Sequence, residues 1–318
     1  MIKKPNQNQL KEFESILLEH QKAVESEVEV PDFKTKYYLN AAFSHLYHSF
    51  YKMDKEYDYK KNLLSLFDAN PHFKENNPEQ YWAAYYNFIN CCSRSSKEEE
   101  MLLSIEQLKK FTQSIPEFHR KMTLIYLVEI HNKYIKNKFK LIEDNLEPLA
   151  MEHIKSLDHT QNRGETRIHL LLALTALATG NQLKVQFYLR RLFERSKKMD
   201  ESYSYFFELI NFISHYEAND IEILRTNLSS KKRKMKRNEA YGSPFFKEIV
   251  LFFSNLIEEN EDKQALIQNF KSKLSTYEND GLYILVNNFI LTNWIQALEN
   301  GKSYTEQMNS PELLSNGV

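Results

Sequence analysis

Glycine and proline are scarce in this chain. Its 318 residues include six glycines and eight prolines, whereas average usage would give roughly 22 and 16. A β-rich protein of this length needs many tight turns, and such turns favour glycine, Asn-Gly or proline. The shortage therefore predicts an all-α protein with no β-sheet, in which short polar loops join the helices.

Cysteines and long apolar runs are also few. The two cysteines, Cys91 and Cys92, are neighbours, and neighbouring side chains on a helix point about 100° apart, which would strain a bridge between them. We expect reduced thiols, as in a reducing compartment. No stretch of 18 uncharged apolar residues occurs, and the first residues show no apolar signal region. These absences predict a cytoplasmic protein without a membrane span.

Neither sign of charge is in excess, since 42 basic and 43 acidic residues give a net charge of −1. This balance excludes a globally basic nucleic-acid binder but leaves room for a local basic patch. The aromatic content of 13% argues against disorder, because disordered chains lack the apolar surface that offsets chain entropy.

Apolar residues recur with the helical period along most of the chain. The most apolar predicted helices start 37 to 46 residues apart, near Tyr37, Tyr81, Met122, Ile168, Tyr205, Phe245 and Leu282. More amphipathic helices lie between them. This alternation is typical of a solenoid of helical hairpins, in which each pair buries its apolar face against its neighbours. An irregular bundle with coincidental spacing is the alternative.

No long linker divides the chain. We predict an N-terminal helix and cap over residues 1–30, a continuous helical-repeat domain over 31–300, and a loose tail over 301–318, where the periodicity fades.

One stretch, HLLLALTALATGNQLKVQFYLRRLFE, resembles the tetratricopeptide-repeat (TPR) family. Ala173 stands where the family has a small residue in its first helix, and Gly180-Asn181 stands at the turn between its two helices. The apolar face of the second helix is matched by Val185, Leu189 and Leu192. Pro71 stands where the family often ends a repeat. Val185 departs from the usual alanine, and the hallmark glycine is absent. The resemblance covers residues 37–298, and it implies a right-handed α-solenoid of stacked antiparallel helix pairs.

Catalytic motifs are missing. The chain has no glycine-rich phosphate loop, no HExxH, no CxxC and no G-x-S-x-G. His45 and His48 could offer two metal ligands, but a competent site needs three or four, so we expect packing histidines and no metal or cofactor. Arg163 and His169 resemble the Arg…His pair of HEPN-type ribonucleases, which would make them an RNA-cleaving pair. The alternative, a core helix, is favoured, and we predict that the protein is not an enzyme.

The densest charge feature is a basic run near residue 234. Six of its seven residues are cationic: Lys231, Lys232, Arg233, Lys234, Lys236 and Arg237. Such a run could bind nucleic-acid phosphates, an acidic partner or an anionic membrane surface. A solvated helix C-terminus is the structural alternative, since the helix dipole favours cations there.

Several aromatic residues are candidates for a binding groove or for the core, namely Tyr81, Trp82, Tyr85 and Tyr205. Because no catalytic constellation appears, we predict a non-enzymatic scaffold that binds a protein or peptide on the concave surface of its inner helices. The alternative is a regulatory protein that contacts nucleic acid or an acidic partner through residues 231–237. The sequence leaves the partner's identity and the oligomeric state open.

Overall fold

The computed structural model describes residues 7–27, 32–157, 163–196, 201–238, 241–258 and 262–310. Over these ranges every secondary-structure element is helical, and no strand occurs. The predicted all-α class without a β-sheet is therefore confirmed. Parts of the predicted N-terminal segment (1–6 and 28–30) and of the predicted tail (311–318) lie outside the described residues.

The chain divides into two compact units, Met1–Glu129 and Ile130–Val318. The boundary lies inside a helix, so no loop composition marks it in the sequence. The helices up to and including this one are α1 Gln7–Glu27, α2 Phe33–Ser49, α3 Met53–Asp68, α4 Pro71–Asn76, α5 Pro78–Arg94, α6 Glu98–Thr112 and α7 Phe118–Ile135.

Helix starts in the first unit follow local chemistry. The side chain of Asp32 accepts a hydrogen bond from the Thr35 backbone N at 2.7 Å, which satisfies a free donor in the first turn of α2. Pro71 and Pro78 open α4 and α5, where a missing N–H costs little. These two features explain why α2 begins directly after Asp32 and why α5 begins at Pro78.

Helices of the first unit pack mainly against their sequence neighbours: α2 on α3, α3 on α5, and α5 on α6. Their facing sides bury large apolar side chains, among them Phe43, Phe67, Phe88, Met101 and Ile105. Burial of apolar surface stabilises such contacts by roughly 25 cal/mol per Å². No single hairpin could bury both of its faces alone.

The second unit contains the longer series of helices. They are α8 Phe139–Leu141, a π-helical turn Ile142–Leu146, α9 Glu147–Lys155, α10 Arg163–Ala178, α11 Gln182–Ser196, α12 Glu201–Glu217, α13 Ile221–Arg237, α14 Pro244–Leu256, α15 Lys263–Leu274, a 3₁₀ turn Ser275–Tyr277, α16 Gly281–Val286, a second π-helical turn Asn287–Leu291, α17 Thr292–Glu299 and α18 Tyr304–Met308.

The turn predicted at Gly180-Asn181 joins α10 to α11. Gly180 has φ +74°, a left-handed conformation that glycine adopts without a Cβ penalty. The Asn181 N donates to the Ala176 carbonyl at 2.7 Å and closes the end of α10. The predicted apolar positions of α11, including Val185 and Leu192, are buried.

Packing in the second unit follows chain order from α10 to α15 and then reverses. Helix α16 packs on α12 and α14, and α18 packs on α10. Thr305 Oγ1 donates to the Leu177 carbonyl at 3.3 Å, and Asn309 Nδ2 donates to the Ala178 carbonyl at 3.2 Å. Tyr304 and Met308 are buried. Residues 303–310 are thus packed, although a five-residue helix is too short to give a periodic signal.

Candidate functional site

Helix α13 is amphipathic only in its first half. Leu224 and Leu228 are its buried residues, and none of residues 229–237 is buried. Apart from Lys231, the cationic side chains of the last two turns therefore project toward solvent. These turns carry the basic run found in the sequence. Residues Ser229–Arg237 form the basic helix end.

The six cations of the basic helix end have different surroundings. Lys231 pairs with Glu208 of α12, and both side chains are largely buried. Lys234 lies with its Nζ 5.7 Å from the centre of the Tyr241 ring, at cation–π distance. The other four are exposed and have no hydrogen bond or ion pair to another described residue: Lys232, Arg233, Lys236 and Arg237.

The four free cations form two rows along the helix. Lys232 and Lys236 are four residues apart, as are Arg233 and Arg237, so each row spans one turn and the rows point about 100° apart. The C-terminal helix dipole stabilises cations in the last turn, whereas like charges four residues apart on a helix repel each other. An acidic surface would offset this repulsion. Four cations in this arrangement can bind a polyanion.

The predicted groove aromatics of the first unit lie in its core. Tyr81, Trp82 and Tyr85 are each less than a tenth exposed. The Tyr81 ring packs edge-on against Phe111 at 4.8 Å between centres, and Trp82 Nε1 donates to Thr112 Oγ1 at 3.0 Å. Trp82 Nε1 and the Tyr85 hydroxyl thus have partners on α6, and these rings fill space between α5 and α6 instead of lining an exposed groove.

Tyr205, the fourth candidate, is also a core residue of its unit. Its ring stacks on Phe246 at 4.4 Å between centres. Its hydroxyl accepts from the Gly242 backbone N at 3.0 Å and is 3.2 Å from a carboxylate oxygen of Glu201. This side chain therefore anchors the segment ahead of α14 to α12.

His169 sits near the centre of α10 and is fully buried, and neither ring nitrogen has a hydrogen-bond partner among the described residues. Burial, with the nearby charges of Arg191 and Arg195, lowers the pKa of His169 to about 3. The imidazole is therefore neutral at ordinary pH and cannot reach a solvent-borne substrate in this conformation. The side chain of Arg163, its proposed catalytic companion, lies outside the described residues.

His45 and His48, the two histidines considered as metal ligands, both lie on α2. No group of three His, Cys, Asp or Glu side chains within the described ranges is placed to hold a metal ion. His48 instead joins a charged cluster with Glu56, Lys60 and Arg94. The i, i+4 spacing of Glu56 and Lys60 is visible in the sequence, but nothing there indicates that Arg94 joins them.

The second unit contains a cleft of about 890 Å³. It lies where α12, α14 and α17 end, and Tyr216, Arg225, Lys263 and Lys302 are among its lining residues. Glu217, at its wall, accepts from Trp294 Nε1 at 3.0 Å and from the Tyr304 N at 2.8 Å. Burial raises the pKa of this carboxyl. Its residues come from distant turns, so no motif could have indicated it.

Cys91 and Cys92 are free thiols in the core of the first unit. Burial raises the pKa of both, and that of Cys92 to about 12. Since the thiolate is the reactive form, we expect neither thiol to react with a disulfide reagent at pH 8 in the folded protein, and both to react in 6 M guanidinium. Thiol titration measures this, and rapid labelling of the folded chain would contradict the burial.

No family model, curated protein or solved structure matches this chain. Among the helices in the described ranges, none is long and apolar enough to cross a bilayer.

Proposed function

We propose that the chain is a non-enzymatic scaffold that binds a protein or peptide partner, with helix pairs stacked as in TPR-like solenoids. The sequential packing of α2, α3, α5 and α6, and of α10 to α15, supports this arrangement. So does the turn at Gly180-Asn181. A cytoplasmic location belongs to the same proposal.

The docking surface in this proposal is the basic helix end, and the partner is acidic. One observation carries it: four exposed cations on the last two turns of α13 have no ion pair to another residue that the structure describes. A helix end that only completes a hairpin would not need this density of like charge. A carboxylate-rich segment lying along the helix would neutralise both rows.

The basic helix end is a better location than the inner helices of the second unit. In that unit α18 covers part of α10, and α16 packs on α12 and α14. A ligand on those faces would compete with the chain's own helices. The concave surface of the inner helices remains the alternative docking surface; α13 follows the inner helix α12 in the chain and is not itself one of the inner helices.

Nucleic acid is the second candidate partner for the same residues. The basic helix end exposes cations and no large apolar side chain. Lysine is depleted in protein interfaces, whereas nucleic-acid interfaces are strongly positive. If four phosphates are contacted, the logarithm of the affinity for a single strand should fall against the logarithm of salt concentration with a slope of about −3.

The test replaces the four free cations, Lys232, Arg233, Lys236 and Arg237, with glutamine, which keeps helix propensity. The fluorescence anisotropy of a labelled glutamate-rich 15-residue peptide and of a labelled 20-nucleotide strand would be measured at 50 and 150 mM salt. We expect binding of at least one probe, weakened tenfold or more in the variant. The probe that binds more tightly at 150 mM salt identifies the partner class.

A matched control removes four exposed lysines elsewhere: Lys34, Lys110, Lys138 and Lys155. It changes the net charge equally, so it should leave binding within about twofold. Equal weakening in both variants would show unspecific attraction and contradict the proposed docking surface, as would the absence of binding to either probe.

A further inference from the structure

The cleft in the second unit lies at the ends of three consecutive helix pairs. Its lining comes from the α12–α13, α14–α15 and α17–α18 connections and from the helix ends beside them, all within residues 216–303. Its volume of about 890 Å³ falls in the range of pockets that hold small organic molecules, about 300–1,000 Å³. The cleft is therefore large enough for a small ligand, and no residue of the basic helix end lines it.

Two lysines of the lining have no anionic partner. Lys263 is the first residue of α15, and Lys302 lies in the connection between α17 and α18. Both are exposed, and neither ammonium group forms an ion pair or hydrogen bond with another residue that the structure describes. The Lys263 Nζ lies 5.6 Å from the centre of the Tyr216 ring, which also lines the cleft, so this charge lies at the cleft wall.

The remaining charged groups of the lining do not cancel these two ammonium groups. Arg225 forms an ion pair with Glu222 of the same helix. Each oxygen of Glu217 already accepts an N–H from the surrounding chain, and Glu258 is exposed. Three cations and two carboxylates line the cleft, which leaves an excess of one positive charge. The lining therefore favours a ligand that carries negative charge.

Apolar groups form much of the rest of the wall. Leu256 and Ile257, at the end of α14, and Leu298, in α17, line the cleft together with the ring of Tyr216. Leu256, Ile257 and Tyr216 are only half-buried, so part of each apolar surface is still in contact with water. A ligand with an apolar part would cover this surface, and burial of apolar surface is favourable.

We propose that this cleft binds a small amphipathic organic anion. Its carboxylate or phosphate group pairs with the ammonium groups of Lys263 and Lys302, and its apolar part lies on Tyr216, Leu256 and Ile257. Each ammonium group ends a flexible four-carbon stem, so both can move toward the same anion. Small-molecule sites commonly combine an apolar wall with a few charged groups that orient the ligand. The site is independent of the basic helix end, because it uses none of its residues.

The test is isothermal titration calorimetry of the full chain with four probes that separate charge from apolar surface: 2-naphthyl phosphate, 2-naphthoate, 2-naphthol and inorganic phosphate. We expect saturable binding of one or both naphthyl anions at a single site. Naphthol lacks the charge and inorganic phosphate lacks the apolar part, so each should bind at least about tenfold more weakly. Tighter binding of naphthyl phosphate would identify a phosphate ester as the ligand class, and tighter binding of naphthoate a carboxylate.

A double variant tests the two lysines directly. Lys263→Gln combined with Lys302→Gln removes both free ammonium groups at exposed positions, so the fold should be retained. We expect the affinity for the naphthyl anions to fall about tenfold or more, because two charge-assisted contacts are lost. The affinity for naphthol should stay unchanged, since naphthol carries no charge for the lysines to bind.

A matched control removes two exposed lysines of the same unit that do not line the cleft, Lys138 and Lys155. Replacing both with glutamine changes the net charge equally and should leave the affinity within about twofold, because salt screens distant surface charges. The assignment would be overturned by any of four results: no saturable binding of either naphthyl anion, wild-type affinity in the Lys263/Lys302 variant, equal losses in both variants, or naphthol or inorganic phosphate binding as tightly as the naphthyl anions.

Discussion

Replacing Glu56 with alanine should lower the free energy of unfolding by about 3–5 kcal/mol, the range found when one partner of a buried ion pair is removed. The substitution leaves Lys60, itself 11% exposed in its side chain, without its carboxylate and frees the Arg94 guanidinium. Denaturation of the full chain in urea, followed by circular dichroism, measures the change.

Two comparisons separate this effect from the general loss of a carboxylate. Glu106→Ala removes a surface acid paired with Lys109 and should cost less than about 0.5 kcal/mol. Glu56→Ala combined with Lys60→Met removes both buried charges and should recover much of the loss. If Glu56→Ala and Glu106→Ala lower the free energy of unfolding equally, the buried ion pair contributes no more to stability than the surface pair does.

The same carboxyl makes stability depend on pH. Burial alone would raise the pKa of Glu56, but the hydrogen bond and charge of Lys60 and the charge of Arg94 outweigh it, so that its pKa is lowered. A lowered folded-state pKa means that the contribution is fully present above the unfolded value of about 4.3 and is lost as pH falls through the folded value. The difference between wild type and Glu56→Ala should therefore shrink below pH 4.

Replacing Tyr304 with alanine should lower the free energy of unfolding by about 3–5 kcal/mol, as for other large buried side chains. Tyr304 is fully buried in α18, and its backbone N donates to Glu217. Loss of the ring leaves a cavity beneath the helix that packs on α10. Thermal and urea denaturation of the full chain measure the effect.

The neighbouring surface residue provides the control for Tyr304. Lys302 is exposed, and Lys302→Ala should change stability by less than about 0.5 kcal/mol. A cost below about 1 kcal/mol for Tyr304→Ala would mean that residues 303–310 are not part of the packed structure, as the fading periodicity of the sequence suggested.

Local sequence patterns predicted the positions of helices better than they predicted which helices pack against each other. Helical periodicity predicted the all-α class and Gly180-Asn181 predicted the turn between α10 and α11, because each signal depends on residues within one or two turns. The return of α18 to α10 joins residues 128 to 131 positions apart, and no spacing rule reports such a contact.

For the candidate sites too, the sequence revealed local features but not the contacts between distant residues. The basic run was evident because its six cations are adjacent, but only the fold separates Lys231, paired with Glu208, from the free Lys232 and Lys236. Tyr81 and Trp82 fit a groove or a core equally well from composition, since aromatic rings serve both. The cluster around Glu56 needed coordinates, because Arg94 is 38 residues away from Glu56.

The reversed packing of α16 to α18 bears on synthesis at the ribosome. Hairpins of the first unit contact their sequence neighbours, so their surfaces can be buried soon after they emerge. Helix α10 instead packs against residues that are synthesised more than a hundred positions later. At about 5–20 residues per second, the synthesis of this stretch takes several seconds or more. During that interval its α18-facing surface is uncovered, and chaperone binding to nascent chains should concentrate there.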